Sequence, residues 1–295
     1  MKVLNIGSMN LDHVYQVDHI VQPGETEASF DMNVFLGGKG INQSMALAKA
    51  GVAVYHGGMI GEDGQPFLDA CKEYGVNADH IKMIEGKTGH AIIQVDKNAQ
   101  NCILLYGGAN QMLTEEYVDG VLNDFEAGDI LLLQNEVNML PYIVDKAFEK
   151  GMQIAINPSP FDEKLSKVDM SKIGIFLLNE VEGEQVTGLK DPDEIIAKLL
   201  SMYPDARIVL TLGKDGAVYA DKDQKHFQPI FKVKAVDTTA AGDTFSGYFL
   251  AAISEGIEVP KALRMAAKAS SIAVTREGAV PSIPLRAEVE AALEE

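Results

Sequence analysis

Asp129-Ile130-Leu131-Leu132-Leu133-Gln134, a helical stretch from about Pro141 to Lys150 closed by Gly151, and then Gln153-Ile154-Ala155-Ile156-Asn157 set the rhythm of this chain. Apolar runs without polar alternation are strands buried on both faces, and such strands belong to mainly parallel sheets flanked by helices. The rhythm extends in both directions. Val3-Leu4-Asn5-Ile6-Gly7 reads as a buried first strand and Val52 to Met59 as another, followed by a helix from Gln65 to Tyr74 that Gly75 ends. Downstream, Ile175-Phe176-Leu177-Leu178 and Arg207-Ile208-Val209-Leu210-Thr211-Leu212-Gly213 repeat the pattern. The expected fold is α/β, a doubly wound, mainly parallel sheet with helices on both faces.

Two stretches break the rhythm. His13 to Phe35 falls into short alternating pieces around Pro23-Gly24-Glu25, and Ala91 to Val95 pairs with Cys102 to Tyr106 across a polar turn as a hairpin pattern. Together they predict a small β-sheet lid, inserted at about 13–36 and 89–106 into one domain spanning 1–295.

At 295 residues, with 46% hydrophobic residues, the chain can bury a large core. A formal net charge of −18 argues against nucleic acid and anionic membrane surfaces as partners, because a phosphate polyanion would have to approach an acidic protein. No apolar run is long enough to span a bilayer, and the N-terminus turns polar before a signal-peptide core could form, so a cytoplasmic location is expected. Cys71 and Cys102 lie apart with no CxxC and no metal-ligand spacing, which predicts buried thiols rather than a zinc or redox site.

Polar residues recur just beyond the strands: Asn10 and Asp12 after the first, then Glu136, then Asn179 and Glu182, then Thr211 with Gly213 and Gly216. In open α/β sheets that edge holds the ligand. Leu36-Gly37-Gly38-Lys39-Gly40-Ile41-Asn42-Gln43-Ser44 opens a helix. It is not a P-loop, since Gly40 rather than Ser or Thr follows Lys39, and GxGxxG is missing after the first strand, which argues against a dinucleotide oxidoreductase. Its glycines let backbone approach a small ligand, with Asn42 offering both a donor and an acceptor.

The second glycine stretch is Asp237-Thr238-Thr239-Ala240-Ala241-Gly242-Asp243-Thr244-Phe245, running into a helix. Almost bare backbone at a helix N-terminus can receive an anion without any basic residue. Asp243 beside it can accept a proton from an attacking hydroxyl while the amides stabilise a moving phosphoryl group. Taken alone, Asp243 equally reads as a helix cap and Asp237 as a turn former. A non-catalytic sugar- or nucleotide-binding protein is the competing class.

With both glycine stretches placed, the chain resembles the ribokinase family of sugar kinases, which also contains fructokinases and adenosine kinases. The resemblance runs in order through Gly7 to Asp12, Pro23 to Thr26, Gly37 to Gln43, Leu132 to Glu136, Asn179 to Glu182, Thr211 to Gly216, Asp237 to Phe245 and Ala273 to Ser282. It implies transfer of the ATP γ-phosphoryl group to a sugar hydroxyl, with D-ribose going to ribose 5-phosphate; the alternative within the family is a kinase for another sugar or nucleoside, such as fructose, deoxyribose or adenosine. By the same resemblance Asp243 is the catalytic base and Gly242 its oxyanion partner, while Asn10, Asp12, Gly38, Lys39, Asn42 and Glu136 hold the sugar. Asn179, Thr211, Gly213 and Gly216 would line the nucleotide site, and Glu182 would act on Mg2+ through water. A monovalent cation site for K+ would use Asp237, Thr239, Ala273, Arg276, Gly278 and Ser282. The resemblance further implies a homodimer joined through the lids. Two departures stand out: Ala267 where many relatives carry Asn or His near the adenine, and Ala240 in place of a frequent glycine.

Overall fold

The structure, a computed structural model, describes residues 1–98 and 100–294. Its main sheet takes β1 (Val3–Ile6), β4 (Val54–Ile60), β5 (Asn77–Met83), β8 (Ile130–Gln134), β9 (Gln153–Asn157), β10 (Ile175–Asn179), β11 (Arg207–Thr211), β12 (Ala217–Ala220) and β13 (Lys225–Gln228), in the order β13-β12-β11-β10-β9-β8-β1-β4-β5. Pairing is parallel from β11 across to β5, and only the β12 and β13 additions are antiparallel. The alternating destinations of successive residues explain the unbroken apolar runs. Ile130 and Leu132 pack into one core with α1 (Lys39–Lys49), α2 (Gln65–Tyr74), α7 (Ala241–Ser254), α8 (Val259–Ala273) and α9 (Arg286–Glu294). Leu131 and Leu133 pack into the other with α3 (Glu115–Leu122), α4 (Leu140–Glu149) and α6 (Pro192–Met202). The chain winds outward from β1 through β4 to β5, and outward from β8 through β11 on the other side. β1 and β8 are therefore the neighbours at which the winding reverses, and the crevice at their carboxyl ends is where such sheets place ligands.

A second sheet has the order β3-β2-β6-β7, from β2 (Asn10–Gln16), β3 (Asp31–Gly37), β6 (Gly89–Val95) and β7 (Asn101–Tyr106). Its first two strands begin at Asn10 and end at Gly37, so Asn10 and Asp12 sit on a lid strand rather than on a loop after β1. That differs from the expected start near residue 13, and it makes the lid's first strand part of the crevice. Cys71 is buried as expected, but Cys102 is exposed on β7, because an outer lid strand has no helix over it. Among the described residues no helix is long and apolar enough to cross a membrane.

The glycines around α1 serve the backbone more than a ligand. Gly38 takes φ 100° as the residue before α1. A Cβ on Gly40 would lie 2.6 Å from the Gly7 Cα and overlap the Ser8 amide, and a Cβ on Gly37 would overlap the Asp12 carboxylate. Packing alone demands two of these glycines: Gly40 lets helix and strand cross at contact distance, and Gly37 makes room for Asp12. Gly40→Ala should cost about 1–3 kcal/mol, since backbone has to move rather than a side chain, and urea unfolding of the purified variant measures it.

Candidate active site

The crossing of Gly7 and Gly40 sets the first turn of α1 against the ends of β1 and β8. Glu136, just past β8, accepts hydrogen bonds at Oε2 from the Ser8 hydroxyl and from the Lys39 amide, the latter at 3.0 Å. Its Oε1 has no hydrogen bond among the described residues and remains available to a ligand. Burial raises the Glu136 pKa above the ordinary carboxylate range, Asp243 adds to this, and Ser8 and Lys39 pull the other way. Asp12 has no hydrogen bond to its carboxylate among the described residues. Burial, helped by the Glu136 charge, pushes its pKa up to about 7. A carboxylate left unpaired beside another is costly unless something arrives to donate to it. Asn10 is better prepared. Its Oδ1 accepts from Asn110 Nδ2 at 2.8 Å, so its own NH2 group is directed elsewhere.

Lys39 is the cation of this cluster. Burial disfavours its charge, but Asp243, Glu136 and Glu182 together outweigh that and its pKa is raised. Asp243, 9% exposed, lies on the first turn of α7 and faces α1: Oδ1 accepts from Gln43 Nε2 at 2.9 Å and Oδ2 from Asn42 Nδ2 at 3.2 Å. It does not cap its helix. The N-cap is Ala240, at φ 57°, without a side-chain cap. The Gly242 and Asp243 amides have no acceptor among the described residues. They face a cavity of about 230 Å³ lined by Lys39, Asn179, Glu182, Thr211, Gly242 and Asp243 among others. A Cβ on Gly242 would meet nothing within 4 Å, so the fold itself does not demand glycine there.

The far wall of the cavity comes from the ends of β10 and β11. Asn179 caps α5 (Glu180–Thr187) by accepting from the Glu182 amide at 2.8 Å, and Glu182 Oε2 accepts from the Asn179 amide at 2.9 Å. This reciprocal box leaves Glu182 Oε1 without a hydrogen bond among the described residues, in a side chain only 5% exposed. One buried carboxylate oxygen fits a hydrated divalent ion held through water. Thr211 donates to the Leu178 carbonyl at 3.3 Å. Gly213 and Gly216 do not line this cavity. Gly216, at φ 129°, backs against Gln228 and Pro229, so its lack of a side chain serves the turn into β12.

Three of the residues named for a monovalent cation meet directly. Asp237 accepts from the Thr239 amide and hydroxyl at 2.9 and 2.7 Å and from the Gly278 amide at 2.9 Å. The Arg276 guanidinium turns away to Glu288, the Ala273 carbonyl accepts from the Arg276 amide, and buried Ser282 donates to the Ala279 carbonyl. Lys49 Nζ ties the same segment to α1 by donating to the Val280 and Ile283 carbonyls at 2.8 and 2.9 Å. The segment can thus offer backbone oxygens and one carboxylate, a donor set that suits a large singly charged ion. Ala267, half-buried on α8, packs against the helical core.

Ser8, Asn110 and Gln43 were missed by sequence reasoning. Gln43 lies inside the first glycine stretch and Ser8 inside the run from Gly7 to Asp12, where neighbouring residues drew the attention. Asn110, on a short turn after β7, carried no local signal.

A family model described as pfkB family carbohydrate kinase matches residues 1–286. The ribokinase of Haemophilus influenzae is 37% identical over 292 residues, covering 96% of this chain and 95% of the relative. Among solved structures, the ribokinase of Thermotoga maritima aligns with a TM-score of 0.90 at 34% identity over 100% of this chain and 99% of its own. Ribokinase of Arabidopsis thaliana, complexed with ribose and ATP, aligns at 0.89 and 28% identity, covering 100% and 98%. With a matched model over nearly its whole length and a crevice in which a buried carboxylate meets uncapped helix amides, this chain belongs to the pfkB family of carbohydrate kinases.

Proposed function

We infer that this protein is a ribokinase, which transfers the γ-phosphoryl group of ATP to the 5-hydroxyl of D-ribose. The observation that carries the reading is the position of Asp243. Its carboxylate stands between the cavity fronted by the Gly242 and Asp243 amides and the polar cluster of Asn42, Lys39 and Glu136. In the reaction Asp243 accepts the proton as the 5-hydroxyl O–H bond breaks. The sugar oxygen bonds the γ-phosphorus, the bond from that phosphorus to the β–γ bridging oxygen opens, and ADP leaves. The two amides and Lys39 oppose the charge on the moving group. Asn10, Asp12, Gly38, Lys39, Asn42 and Glu136 form the sugar site. A sugar lacking one hydroxyl leaves a buried polar group unpaired, so rejection by about 10⁴-fold is within reach of such a site.

Asn179 and Thr211 line the phosphate-side cavity, and Gly213 and Gly216 shape the turn beside the nucleotide. Glu182, with Oε1 free of any hydrogen bond among the described residues, would hold Mg2+ through water, and the ion when bound would neutralise phosphate charge. K+ is assigned to the Asp237–Thr239–Gly278 junction with the carbonyls of Ala273 and Arg276 and with Ser282. The lid's exposed apolar side chains, Phe30, Met32, Val34, Phe35, Ile103, Leu104, Leu105 and Tyr106, support a homodimer joined through this sheet, because so many contiguous apolar groups rarely stay in water. The free cysteines and acidic surface accord with a cytoplasmic enzyme.

ADP release should be fastest with ribose among ribose, 2-deoxyribose, fructose and adenosine; faster turnover of another acceptor overturns the substrate assignment. Asp243→Asn should lower kcat by ~10² to 10⁴ with a much smaller change in ribose binding. Asp12 generates a pH signature. Ribose hydroxyls donate to its ionised form, so ribose affinity measured calorimetrically should weaken by up to about tenfold per pH unit below about pH 7. Its raised pKa also means that the folded state binds the extra proton between the unfolded and folded values, so its penalty to stability grows as pH rises through that window and is complete above it. Asp12→Asn should therefore raise Tm more at about pH 8.5 than at about pH 5.5, while losing ribose affinity. In sedimentation at micromolar concentration the chain should run as a dimer, and Leu104→Asp should shift it toward monomer.

A further inference from the structure

A file of buried amides ends on Asp243, and no step above uses it. Asn5, Gln134 and Gln43 are each fully enclosed, as are Ser44 and His56 beside them. Their orientations are determined by one backbone group. The Gly40 carbonyl can only accept, so the Asn5 group 2.7 Å from it is the NH2, which also donates to Ser44 Oγ at 2.9 Å. Asn5 Oδ1 then faces Gln134 and accepts from Nε2 at 3.1 Å. That same Nε2 donates to Gln43 Oε1 at 2.7 Å, which leaves the Gln43 NH2 for Asp243 Oδ1 at 2.9 Å. Reversing any of the three amides would set like groups face to face. The side branch is compatible: Ser44, already an acceptor from Asn5, can send its hydrogen to His56 Nδ1 at 2.8 Å when the imidazole carries its proton on Nε2. Burial holds the His56 pKa down to about 4.

We propose that Gln43, locked in direction through Gln134 and Asn5, is a positioning residue for Asp243: it occupies Oδ1 with a fixed donor and leaves Oδ2 to take the proton from the sugar. Oδ2 has the longer bond, 3.2 Å from Asn42, a residue at the sugar side whose own Oδ1 is buried without a partner. That Asn42 can exchange Asp243 for the sugar as the hydroxyl arrives. The other charged groups around Asp243 are Lys39 from α1 and Glu136 from the end of β8, with Glu182 of α5 beyond Lys39. None of them touches the amide file. The proposal rests on Asp243 being the base.

Gln134→Glu tests it at a residue that does not touch Asp243. A carboxylate there can only accept, so Gln43 must turn its NH2 toward position 134 and present Oε1 to Asp243. The acidic limb of the kcat–pH profile should move up by about one pH unit or more, with kcat reduced about tenfold and the ribose KM changed less than about threefold. In a Gln43→Leu background, adding Gln134→Glu should move the limb no further. A Gln134→Glu protein that binds ribose normally but keeps the wild-type limb overturns the proposal. Should that variant not fold, Gln43→Leu by itself carries the test, because Oδ1 then loses its fixed donor and the limb should still rise; an unmoved limb overturns the proposal there as well. Asp243→Asn separates the two readings: full activity in that variant refutes the base, whereas an inactive Asp243→Asn with an unmoved limb in the Gln134→Glu or Gln43→Leu variant refutes only the amide file.

Discussion

The close crossing of Gly7 over Gly40 is the constraint on which the crevice depends. Only two residues without side chains let the first turn of α1 approach the end of β1 at backbone contact distance. From that contact hang the Lys39 amide on Glu136, the Asn42 and Gln43 amides on Asp243, and the Gly40 carbonyl that orients Asn5. The crossing lies at the reversal point of the sheet winding, where the helices that follow β1 and β8, α1 and α4, pack on opposite faces and leave a gap. Backbone packing thus decides where the polar groups can gather, and side-chain chemistry fills that place.

The electrostatics follow from the scarcity of cations. One partly buried lysine, Lys39, faces three carboxylates, Asp243, Glu136 and Glu182, and its own charge is held by them against burial. In the proposed reaction, phosphate charge is left to helix amides that no side chain caps, a partial positive charge with no counterion to displace. This is how a protein of net charge −18 can handle a triphosphate: the overall field repels polyanions, while the local field at the α7 N-terminus does not. Asp12 shows the cost. Its carboxylate has no partner among the described residues, and on the proposed function sugar hydroxyls satisfy it, which makes it a trade of stability for binding.

Much of the fold was legible because burial on both faces writes itself into a strand as an unbroken apolar run. Ile130 to Leu133 and Ile175 to Leu178 announced a parallel sheet, and each residue went to alternate cores as that pattern requires. The lid was legible from the change in period. Its starting point was not, because Asn10 and Asp12 are polar on either a loop or a lid strand, and only pairing with β3 and β6 distinguishes them. The exposure of Cys102 was hidden for the same reason: an apolar residue on a strand does not reveal whether a helix covers it.

For the site, local sequence marked Asp243, Lys39 and Asn42 because each lies in a glycine-rich stretch whose backbone geometry is unusual on its own. The amino-acid sequence alone therefore determined the class of fold and the lid, and it singled out Lys39, Asn179, Glu182, Thr211, Gly242 and Asp243, which line the cavity. What the tertiary structure decided were relations between distant segments: Ser8 with Glu136, Asn110 with Asn10, and Gln134 with Gln43. It also separated Gly242, bare toward open space, from Gly40 and Gly216, bare against other backbone. The reason is physical. Hydrogen-bond direction and steric room depend on which groups stand opposite one another, and partners more than ninety residues apart in the chain meet only when the sheet and α1 have packed.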